Sequence, residues 1–488
     1  MMKIKSSMLA DYYEFTMAQS YLEAGVQNTE AVFDVFFRKN PFQKGYGVMG
    51  GVDQIIELIK NFKFDADDIA YFRSKKIFSE EFLEYLKTFK FTGSIYAIPD
   101  GTPVFKNEPI ITVKAPIIEA QIMETILLIY ANSNICFMTS ARRIVESAGE
   151  IPIAEFGARR SLGENAALTA SKCAYIAGCA STSNVAADHQ YGLSISGTMA
   201  HSFVEFFPHE YDAFLHYAKT YPDNCVLLVD TYDVLRSGVP NAIKVAKEYL
   251  IPNGYRLKGI RIDSGDLAYL TKKAKEMLVE AGLSDVKICV SNGLAEDTIK
   301  SLEEQGAVID SIGLGDNIVL PDFARVGCVY KLVAVNENGE FVPRIKISGD
   351  LAKVTTPGYK KVYRLYDKSS GFALADLIAL YDEEIPTDEI ILIDPSNEVN
   401  QVTLTNYRIR ELQVPIVLDG KVVYQDLSIE EKRKYCECEM KTIYPEIKRY
   451  LNPHLYYVDL SRKLLMLKKE LINEYKLRGE LDECVKRS

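Results

Sequence analysis

The sequence has no excess of basic residues. Its 488 residues include 57 Lys and Arg against 67 Asp and Glu, which gives a formal net charge of −10 at pH 7. General nucleic-acid binding needs a basic surface that neutralises phosphates, so the composition argues against that class of protein. An anionic substrate would have to be bound by local arginines or by backbone N–H groups.

Long apolar runs and paired cysteines are also lacking. No run approaches the ~20 apolar residues of a membrane helix, and the first residues contain no apolar core of a secretory signal. The nine cysteines are scattered, as in proteins kept reduced in the cytosol. Cys436 and Cys438 form the one close pair, and no second pair completes a four-ligand zinc site. We therefore expect a cytoplasmic protein without its own metal site.

The region after residue 151 contains apolar, strand-like runs that each end in polar residues. Helical patterns separate these runs, which indicates βα units and a parallel sheet or barrel. In a βα barrel the chemistry lies at the carboxyl ends of the strands. The runs are Ile151–Phe156, Leu193–Ile195, Val226–Val229, Gly259–Ile262, Val286–Val290 and Val308–Ile312.

One of these runs leads into Gly197, Thr198 and His201. Glycine lets the backbone approach an anion, and threonine offers a hydroxyl and an N–H group. A histidine about one helical turn further on can titrate, act as a nucleophile or bind a metal. Taken alone, a histidine at the start of a helix is more often a cap or a packing residue, so its interpretation depends on the other clusters.

Three other clusters offer groups for an anionic ligand. Arg159 and Arg160 match phosphate or carboxylate oxygens, or they form a surface charge pair. Asp263 and Asp266 suit ribose hydroxyls or a magnesium-bound ligand, or they cap the start of a helix. Backbone N–H groups of Gly313–Asp316 could surround a phosphate. Together these clusters predict a barrel enzyme that acts on a phosphorylated sugar.

Motifs along nearly the whole chain resemble those of nicotinate phosphoribosyltransferases, in the type II phosphoribosyltransferase group. Their order is that of the family, which makes the resemblance more specific than any single motif. The matching stretches are Asp11–Ala18, Glu155–Arg160, Ser181–Val185, Gly197–Phe203, Leu228–Tyr232, Arg236–Asn241, Arg261–Leu267, Ser291–Asn292, Val329–Ala334 and Leu451–Pro453.

The resemblance implies an α/β fold with two parts, an irregular, TIM-like α/β barrel and an α/β sandwich-like domain built from both chain ends. Strand-like material returns after residue 329, consistent with a late segment that completes the first domain. We place the first part of the sandwich at 1–135, the barrel with the active site at 136–328, the completing strands at 329–427 and a helical tail at 428–488. Relatives form dimers with the active site at the interface, so we expect a homodimer.

The implied reaction converts nicotinate and phosphoribosyl pyrophosphate to nicotinate mononucleotide and pyrophosphate, in NAD biosynthesis. It uses Mg²⁺ and is coupled, in a ligase-type manner, to ATP hydrolysis through a phosphohistidine. The resemblance implies phosphorylation of His201, catalytic roles for it and for Asp263 and Asp266, and nicotinate contacts for Tyr13, Thr198 and Arg261. Further substrate-binding candidates are Arg159, Gly313, Gly315 and Asp316.

Asp316 departs from the family pattern, which has threonine at this place in the phosphate loop. An aspartate there would repel a phosphate, or it would turn outward and cap the helix that follows, with Asn317 taking over as donor. If repulsion operates, Asp316→Thr should tighten the binding of phosphoribosyl pyrophosphate. The sequence leaves these alternatives open.

Two other functions remain as alternatives. Nicotinamide-using relatives resemble this chain but have an acidic residue in the turn that matches Ser181–Asn184, where this chain has none. A carboxylate at that turn would repel nicotinate, so its absence favours the acid over the amide. The second alternative is a catalytically silent, ligand-sensing barrel, which the change at Asp316 allows but the intact His201 and Arg261 oppose.

Overall fold

The computed structural model describes residues 5–321, 325–348, 353–395, 397 and 399–487, with side chains through Tyr475. The strands are β1 Glu30–Phe37, β2 Gly47–Val48, β3 Ser94–Ala97, β4 Pro103–Val104, β5 Ile111–Pro116, β6 Ile153–Glu155, β7 Ser181–Thr182, β8 Val226–Leu228, β9 Gly259–Ile262, β10 Lys287–Ser291, β11 Ser311–Leu314, β12 Cys328–Glu337, β13 Glu340–Pro343, β14 Lys360–Asp367, β15 Ala373–Leu380, β16 Ile390–Ile393, β17 Gln401–Leu404, β18 Tyr407–Glu411, β19 Val414–Leu418, β20 Lys421–Val422 and β21 Tyr457–Leu460.

Helices connect these strands and cover them. The α-helices are α1 Tyr12–Glu23, α2 Val52–Asn61, α3 Ala66–Lys75, α4 Glu80–Lys87, α5 Ile117–Ile122, α6 Glu124–Ala148, α7 Glu164–Ile176, α8 Val185–Tyr191, α9 His201–Phe206, α10 Glu210–Thr220, α11 Val239–Val245, α12 Leu267–Glu280, α13 Glu296–Glu304, α14 Asp316–Val319, α15 Ile429–Lys441, α16 Pro445–Lys448 and α17 Arg462–Arg487. Short 3-10 or π turns lie at Ser6–Met8, Pro41–Gln43, Ala158–Arg160, Pro222–Asn224, Val234–Gly238, Ala246–Leu250 and Ile251–Asn253.

The chain divides into two units. One, here called the sandwich unit, joins Met1–Cys136 to Arg325–Ser488, and the other, the barrel unit, is Phe137–Ala324. The predicted fold class, α/β with a barrel-like part and a sandwich-like part built from both chain ends, is confirmed by the sheets described below. The finer division of the chain at residues 135, 328 and 427 stays a prediction.

Strands from both chain ends share one sheet of the sandwich unit. Its order is β13-β12-β1-β5-β3-β19-β20, so β1 lies between β12 from the late segment and β5 from the early one. The apolar run Glu30–Phe37 forms the predicted strand and is almost entirely buried. Because both neighbours of β1 are needed to bury it, neither end of the chain completes this sheet alone.

The second sheet of the sandwich unit comes entirely from the late segment, in the order β17-β16-β21-β15-β14-β18. Strand β21 lies inside this sheet, parallel to β15 and antiparallel to β16. The segment 428–488, predicted as a helical tail, therefore also supplies an interior strand. This strand has the sequence Tyr-Val-Asp-Leu, and its alternation of apolar and polar residues is too short to predict a strand between helical segments.

A buried ion pair ties the two segments of the sandwich unit together. Arg364 on β14 and Asp376 on β15 have fully buried side chains 2.6 Å apart. Arg364 also donates to the carbonyl of Pro103, and the Tyr456 hydroxyl donates to Asp376 at 2.8 Å. The Tyr456 ring stacks on Phe105 with centroids 3.8 Å apart. Residues from the early and late segments thus satisfy one another's polar groups inside the core.

The barrel unit is built on a six-stranded parallel sheet in the order β7-β6-β11-β10-β9-β8. Neighbouring strands follow the chain order, and the last strand, β11, pairs with the first, β6. The two edges of the sheet are therefore β7 and β8, which are consecutive in the chain. An isolated bridge from Thr182 to Ile195 extends the β7 edge, and no ladder among the described residues joins that edge to β8. The result is an irregular barrel with one open seam, whose strand ends converge as expected for βα units.

The predicted strand at Leu193–Ile195 is wrong. The structure instead places β7 at Ser181–Thr182, in a stretch that the sequence predicts to be a turn, and leaves Ile195 with a single bridge. Backbone hydrogen bonds explain the exchange: Thr182 both donates to Ser194 and accepts from Ser196, at 2.9 Å each. The paired residues are small and polar, so hydrophobic alternation gives no signal for them.

The described cysteines are all free, and most of them are buried. Among the described helices, none is long and apolar enough to cross a membrane.

Breaking the Arg364–Asp376 pair should destabilise the sandwich unit strongly. Arg364→Met leaves the carboxylate of Asp376 buried without its cation, which typically costs about 3–5 kcal/mol of unfolding free energy. Urea denaturation followed by circular dichroism measures the loss. Lys60→Met, which removes the exposed Lys60–Glu57 pair of the same unit, should change the midpoint little. A wild-type midpoint for Arg364→Met would contradict this account of the core.

Candidate active site

A cleft of about 420 Å³ opens at the carboxyl ends of the barrel strands. This volume is within the range of small-molecule sites. Its lining includes five of the residues predicted for the site, namely Arg159, Thr198, His201, Arg261 and Asp263. The rest of the lining is Phe156, Ala158, Ser183, Gly197, Met199, Ala200 and Leu228.

Arg261, on β9, has a guanidinium fixed from several sides. Its Nε donates to Ser291 Oγ at 2.7 Å, Nη2 to Asp263 Oδ1 at 3.0 Å and Nη1 to Thr198 Oγ1 at 3.4 Å. The guanidinium carbon also lies 5.4 Å from the centre of the Phe156 ring. The side chain is 14% exposed, so it faces the cleft without being solvated freely. A fixed guanidinium with remaining N–H donors is suited to a planar carboxylate.

His201 is the first residue of α9 and has both ring nitrogens placed. Nδ1 lies 3.1 Å from the hydroxyl oxygen of Thr231, and Nε2 lies 3.9 Å from Asp263 Oδ2. The imidazole is 38% exposed, which leaves it accessible from the cleft. When Nδ1–H donates to Thr231, Nε2 keeps its lone pair, as a nucleophile requires.

A buried carboxylate supports the turn that contains Asp263. Asp230, at the end of β8, accepts from the Asp263 N–H at 3.0 Å and from the Ser264 hydroxyl at 2.6 Å. The Ser291 hydroxyl in turn donates to Asp263. The resemblance assigned no role to Asp230, Ser291 or Thr231. Asp230 and Ser291 follow strand-like runs as polar residues, so the strand-end pattern was the signal that marked them.

Glu155, at the end of β6, organises the opposite side of the cleft. Its buried carboxylate accepts from the Gly157 N–H, from the Ser171 hydroxyl at 2.9 Å and from the Thr182 hydroxyl at 2.6 Å. These bonds join the turn after β6 to β7 and so position Ser183, which lines the cleft. No carboxylate from the turn 181–184 reaches the cleft, since that turn has no acidic residue.

The two glycines of the predicted phosphate loop pack against Phe156. A Cβ atom at Gly313 would collide with the Phe156 ring, and one at Gly315 would lie 2.9 Å from the Phe156 carbonyl oxygen. The absence of a side chain at Gly313 leaves room for this ring next to the guanidinium of Arg261, whereas Gly315 allows the close approach of the Phe156 backbone. Neither glycine lines the cleft as described, and their contact with phosphate stays a prediction.

Asp316 forms an ion pair. Its Oδ1 lies 3.1 Å from Nε of Arg160, and both side chains are more than half exposed. Asp316 is the first residue of α14, whose N-cap residue is Gly315, so no N-cap side chain bonds to the first turn of this helix. Asn317 donates its amide to the Leu294 carbonyl at 2.7 Å. The structure therefore shows Asp316 paired with Arg160 and not in the predicted capping role, while one donor of the Asn317 amide is used by Leu294.

Two predicted site residues lie elsewhere. Asp266 is exposed and caps α12, because its Oδ1 accepts from the Tyr269 N–H at 3.0 Å. This is the capping alternative that the sequence left open, and Asp266 does not line the cleft. Tyr13 belongs to α1 of the sandwich unit, where its ring is 43% exposed. Partial burial, followed by the neighbouring Glu124 carboxylate, raises the pKa of the Tyr13 phenol.

The described residues include no group of three or more acidic, histidine or cysteine side chains arranged to hold a metal ion. At the cleft, one Asp263 oxygen is already bonded to Arg261 and Ser291. Mg²⁺ commonly binds through substrate phosphates with only one or two carboxylates. These donors fit an ion that arrives with a phosphorylated substrate better than one bound by the protein alone.

Comparison with known proteins identifies the family. The model of the nicotinate phosphoribosyltransferase N-terminal domain matches residues 8–132, and that of its C-terminal domain matches residues 359–468. The chain is 42% identical over 478 residues to the nicotinate phosphoribosyltransferase of Bacillus subtilis, covering 97% of this chain and 96% of that protein. It is 35% identical to the one of Caenorhabditis elegans, covering 94% and 92%.

Solved structures agree with this result. The crystal structure of human nicotinic acid phosphoribosyltransferase superimposes with a TM-score of 0.83 at 29% identity, covering 95% of this chain and 100% of the human one. A nicotinate-nucleotide pyrophosphorylase from Pyrococcus furiosus, 22% identical, shares the fold with a TM-score of 0.68. By its motifs, its fold and its similarity over the full length, this chain belongs to the nicotinate phosphoribosyltransferase family.

Proposed function

We propose that this protein catalyses the transfer of a phosphoribosyl group from phosphoribosyl pyrophosphate to nicotinate, coupled to ATP hydrolysis, in NAD biosynthesis. The observation that carries the proposal is the guanidinium of Arg261, fixed by Ser291, Asp263 and Thr198 in a cleft that His201 also lines. The identity to family members over the full length supports it.

Arg261 and Thr198 are the proposed nicotinate-binding residues. The guanidinium pairs with the carboxylate of nicotinate and so directs the ring nitrogen toward the sugar, which converts an encounter into an oriented complex. A nicotinamide amide would gain less from a cation and would need an acceptor. Asp263, the carboxylate in the lining, is already bonded to Arg261, and the turn 181–184 offers none. The site thus favours the acid.

The chemical step replaces one bond at the ribose anomeric carbon with another. The ring nitrogen of nicotinate forms a bond to this carbon while the bond to the pyrophosphate oxygen breaks, and pyrophosphate departs with the electron pair. Positive charge builds on the sugar, and the Asp263 carboxylate stabilises it. Mg²⁺ bound to the pyrophosphate, with Asp263 as the carboxylate nearest to it in the cleft lining, would neutralise the negative charge of this leaving group. We propose that Asp266 and Arg159 assist at the sugar and phosphate ends of the substrate.

His201 is the proposed phosphorylation site. Its Nε2 attacks the γ-phosphorus of ATP, the bond to the β-phosphate oxygen breaks, and ADP leaves. The phosphoryl group adds negative charge of about −1.5 to −2 near Asp263, the residue that faces Nε2. We infer that this charge changes the affinity of the site for the phosphoribosyl substrate. Attack of water on the phosphohistidine then breaks the N–P bond, releases phosphate and restores His201, which completes the hydrolysis of ATP.

We further propose that the protein acts as a cytoplasmic homodimer in which Tyr13 of one subunit completes the site of the other. The exposed ring of Tyr13, on α1, supports this role because it is available to stack on a planar pyridine.

Replacing Arg261 by lysine should weaken the binding of nicotinate. Lysine keeps the charge but loses the planar fork, so kcat/KM for nicotinate should fall about 10- to 100-fold, the equivalent of one or two charged hydrogen bonds. Steady-state pyrophosphate release measures this change. The exposed Arg256→Lys of the same unit is the control. An unchanged kcat/KM for Arg261→Lys would show that Arg261 does not bind the carboxylate.

His201→Ala should abolish ATP coupling. The variant has no nucleophile for the γ-phosphate, so protein labelling from γ-labelled ATP and ATP stimulation of pyrophosphate release should both vanish, while basal release remains. His209→Ala, an exposed histidine eight residues away in sequence, should keep both properties. Undiminished labelling of His201→Ala would place the phosphorylation on another residue.

Mixing two variants that each lack ATP-coupled activity tests the shared site. Tyr13→Ala and His201→Ala should each lose ATP-coupled activity, but hybrid dimers regain one intact site, so an exchanged equimolar mixture should recover about a quarter of the wild-type rate. Tyr12→Ala, an exposed neighbour of Tyr13, replaces Tyr13→Ala in the control. Failure to regain activity in a mixture shown by mass spectrometry to contain hybrids would place both residues in the same subunit's site.

A further inference from the structure

Arg160 and Asp316 lie on neighbouring turns at the carboxyl end of the barrel. Strands β6 and β11 pair in parallel with Glu155 opposite Leu314, and the Phe156 N–H donates to the Leu314 carbonyl at 2.8 Å. Arg160 ends the 3-10 turn that follows β6, and Asp316 begins the helix that follows β11. The ion pair between them therefore joins the turn after β6 to the last residue of the predicted phosphate loop.

The backbones of the two turns are fixed, whereas the ion pair is not. The Arg160 N–H donates to the Gly157 carbonyl at 2.8 Å. At Gly157, a Cβ atom would collide with Val319 and lie 2.8 Å from the Gly315 carbonyl oxygen, which shows how closely the turns approach. The side chains of Arg160 and Asp316 are 58% and 52% exposed, so water screens their attraction.

A phosphoryl group is a stronger partner for a guanidinium than a screened carboxylate is. Arginine forks form bidentate bonds with phosphate, and a second negative charge adds to the attraction. The adjacent Arg159 lines the cleft, whereas Arg160 is not among the lining residues and pairs with Asp316 instead. A phosphorylated ligand that reaches the loop can therefore take Arg160 from Asp316 by a change in side-chain rotamers alone.

We propose that Arg160 binds a phosphoryl group of phosphoribosyl pyrophosphate and that Asp316 competes with this group for Arg160. The inference rests on the proposed function for the identity of the substrate. By this proposal, Asp316 lowers the affinity for phosphoribosyl pyrophosphate because it occupies Arg160, in addition to any direct repulsion of the phosphate. Affinity for the phosphoribosyl substrate is thereby set by an exchange of partners at one arginine.

Arg160 could instead serve only to neutralise the charge of Asp316, and this role makes the opposite prediction for the double variant Arg160→Ala/Asp316→Asn. If Arg160 only neutralised Asp316, its loss would weaken binding by exposing the aspartate charge, and removal of that charge would restore binding. If Arg160 itself binds the phosphoryl group, removal of Asp316 cannot replace it. The comparison of Arg160→Ala with Arg160→Ala/Asp316→Asn separates the two roles.

The experiment titrates magnesium phosphoribosyl pyrophosphate into the full-length protein by calorimetry, with KM values from pyrophosphate release as a second readout. Arg160→Ala should raise the dissociation constant about tenfold or more, and Asp316→Asn should lower it a few fold. The double variant should stay about as weak as Arg160→Ala. KM for nicotinate should change much less, because Arg160 does not touch the pyridine site.

Two results would overturn the proposal: wild-type affinity in the double variant, or wild-type affinity in Arg160→Ala. Lys287→Ala is the control, because it removes an ion pair with Asp310 at the amino-terminal ends of β10 and β11 and should leave affinity unchanged. The wild-type assay separates the two levels of inference. Turnover of nicotinate without the predicted affinity pattern rejects only the role of Arg160, whereas an affinity pattern without turnover rejects the proposed reaction.

Discussion

The placement of the Arg261 guanidinium is the constraint on which the rest of the cleft depends. Asp263 and Ser291 bond to it from neighbouring strand ends, and Thr198 reaches it from the segment that precedes His201. Asp263 also faces the imidazole of His201. The guanidinium suited to a carboxylate and the proposed site of phosphorylation thus share one aspartate, so a change of charge at His201 would alter the electrostatic potential at the proposed nicotinate site.

This arrangement is supported from beneath by packing. The Phe156 ring lies against the guanidinium, and Gly313 is required because a side chain there would occupy the place of that ring. Gly313, which the motif suggested for phosphate approach, thus also has a steric reason to lack a side chain. Asp230 and Glu155, both buried, fix the turns on either side through hydrogen bonds to backbone and hydroxyl groups.

Much of this site could be predicted from sequence because parallel strands bring their ends together. Polar residues after apolar runs pointed to Asp263 and Ser291, and the family motifs pointed to Thr198, His201 and Arg261. What sequence could not show depends on partners distant in the chain. Strand β7 is made of small polar residues, β21 is short and lies among helices, and the pairing of Asp316 with Arg160 follows from the adjacency of β6 and β11.

The central claim is that the cleft selects nicotinate and couples its reaction to ATP. Pyrophosphate release with phosphoribosyl pyrophosphate and Mg²⁺, measured with nicotinate or nicotinamide and with or without ATP, tests it most directly. The account predicts release with nicotinate, enhanced by ATP, and little with nicotinamide. Release with nicotinamide in preference to nicotinate, or with neither substrate, would contradict it.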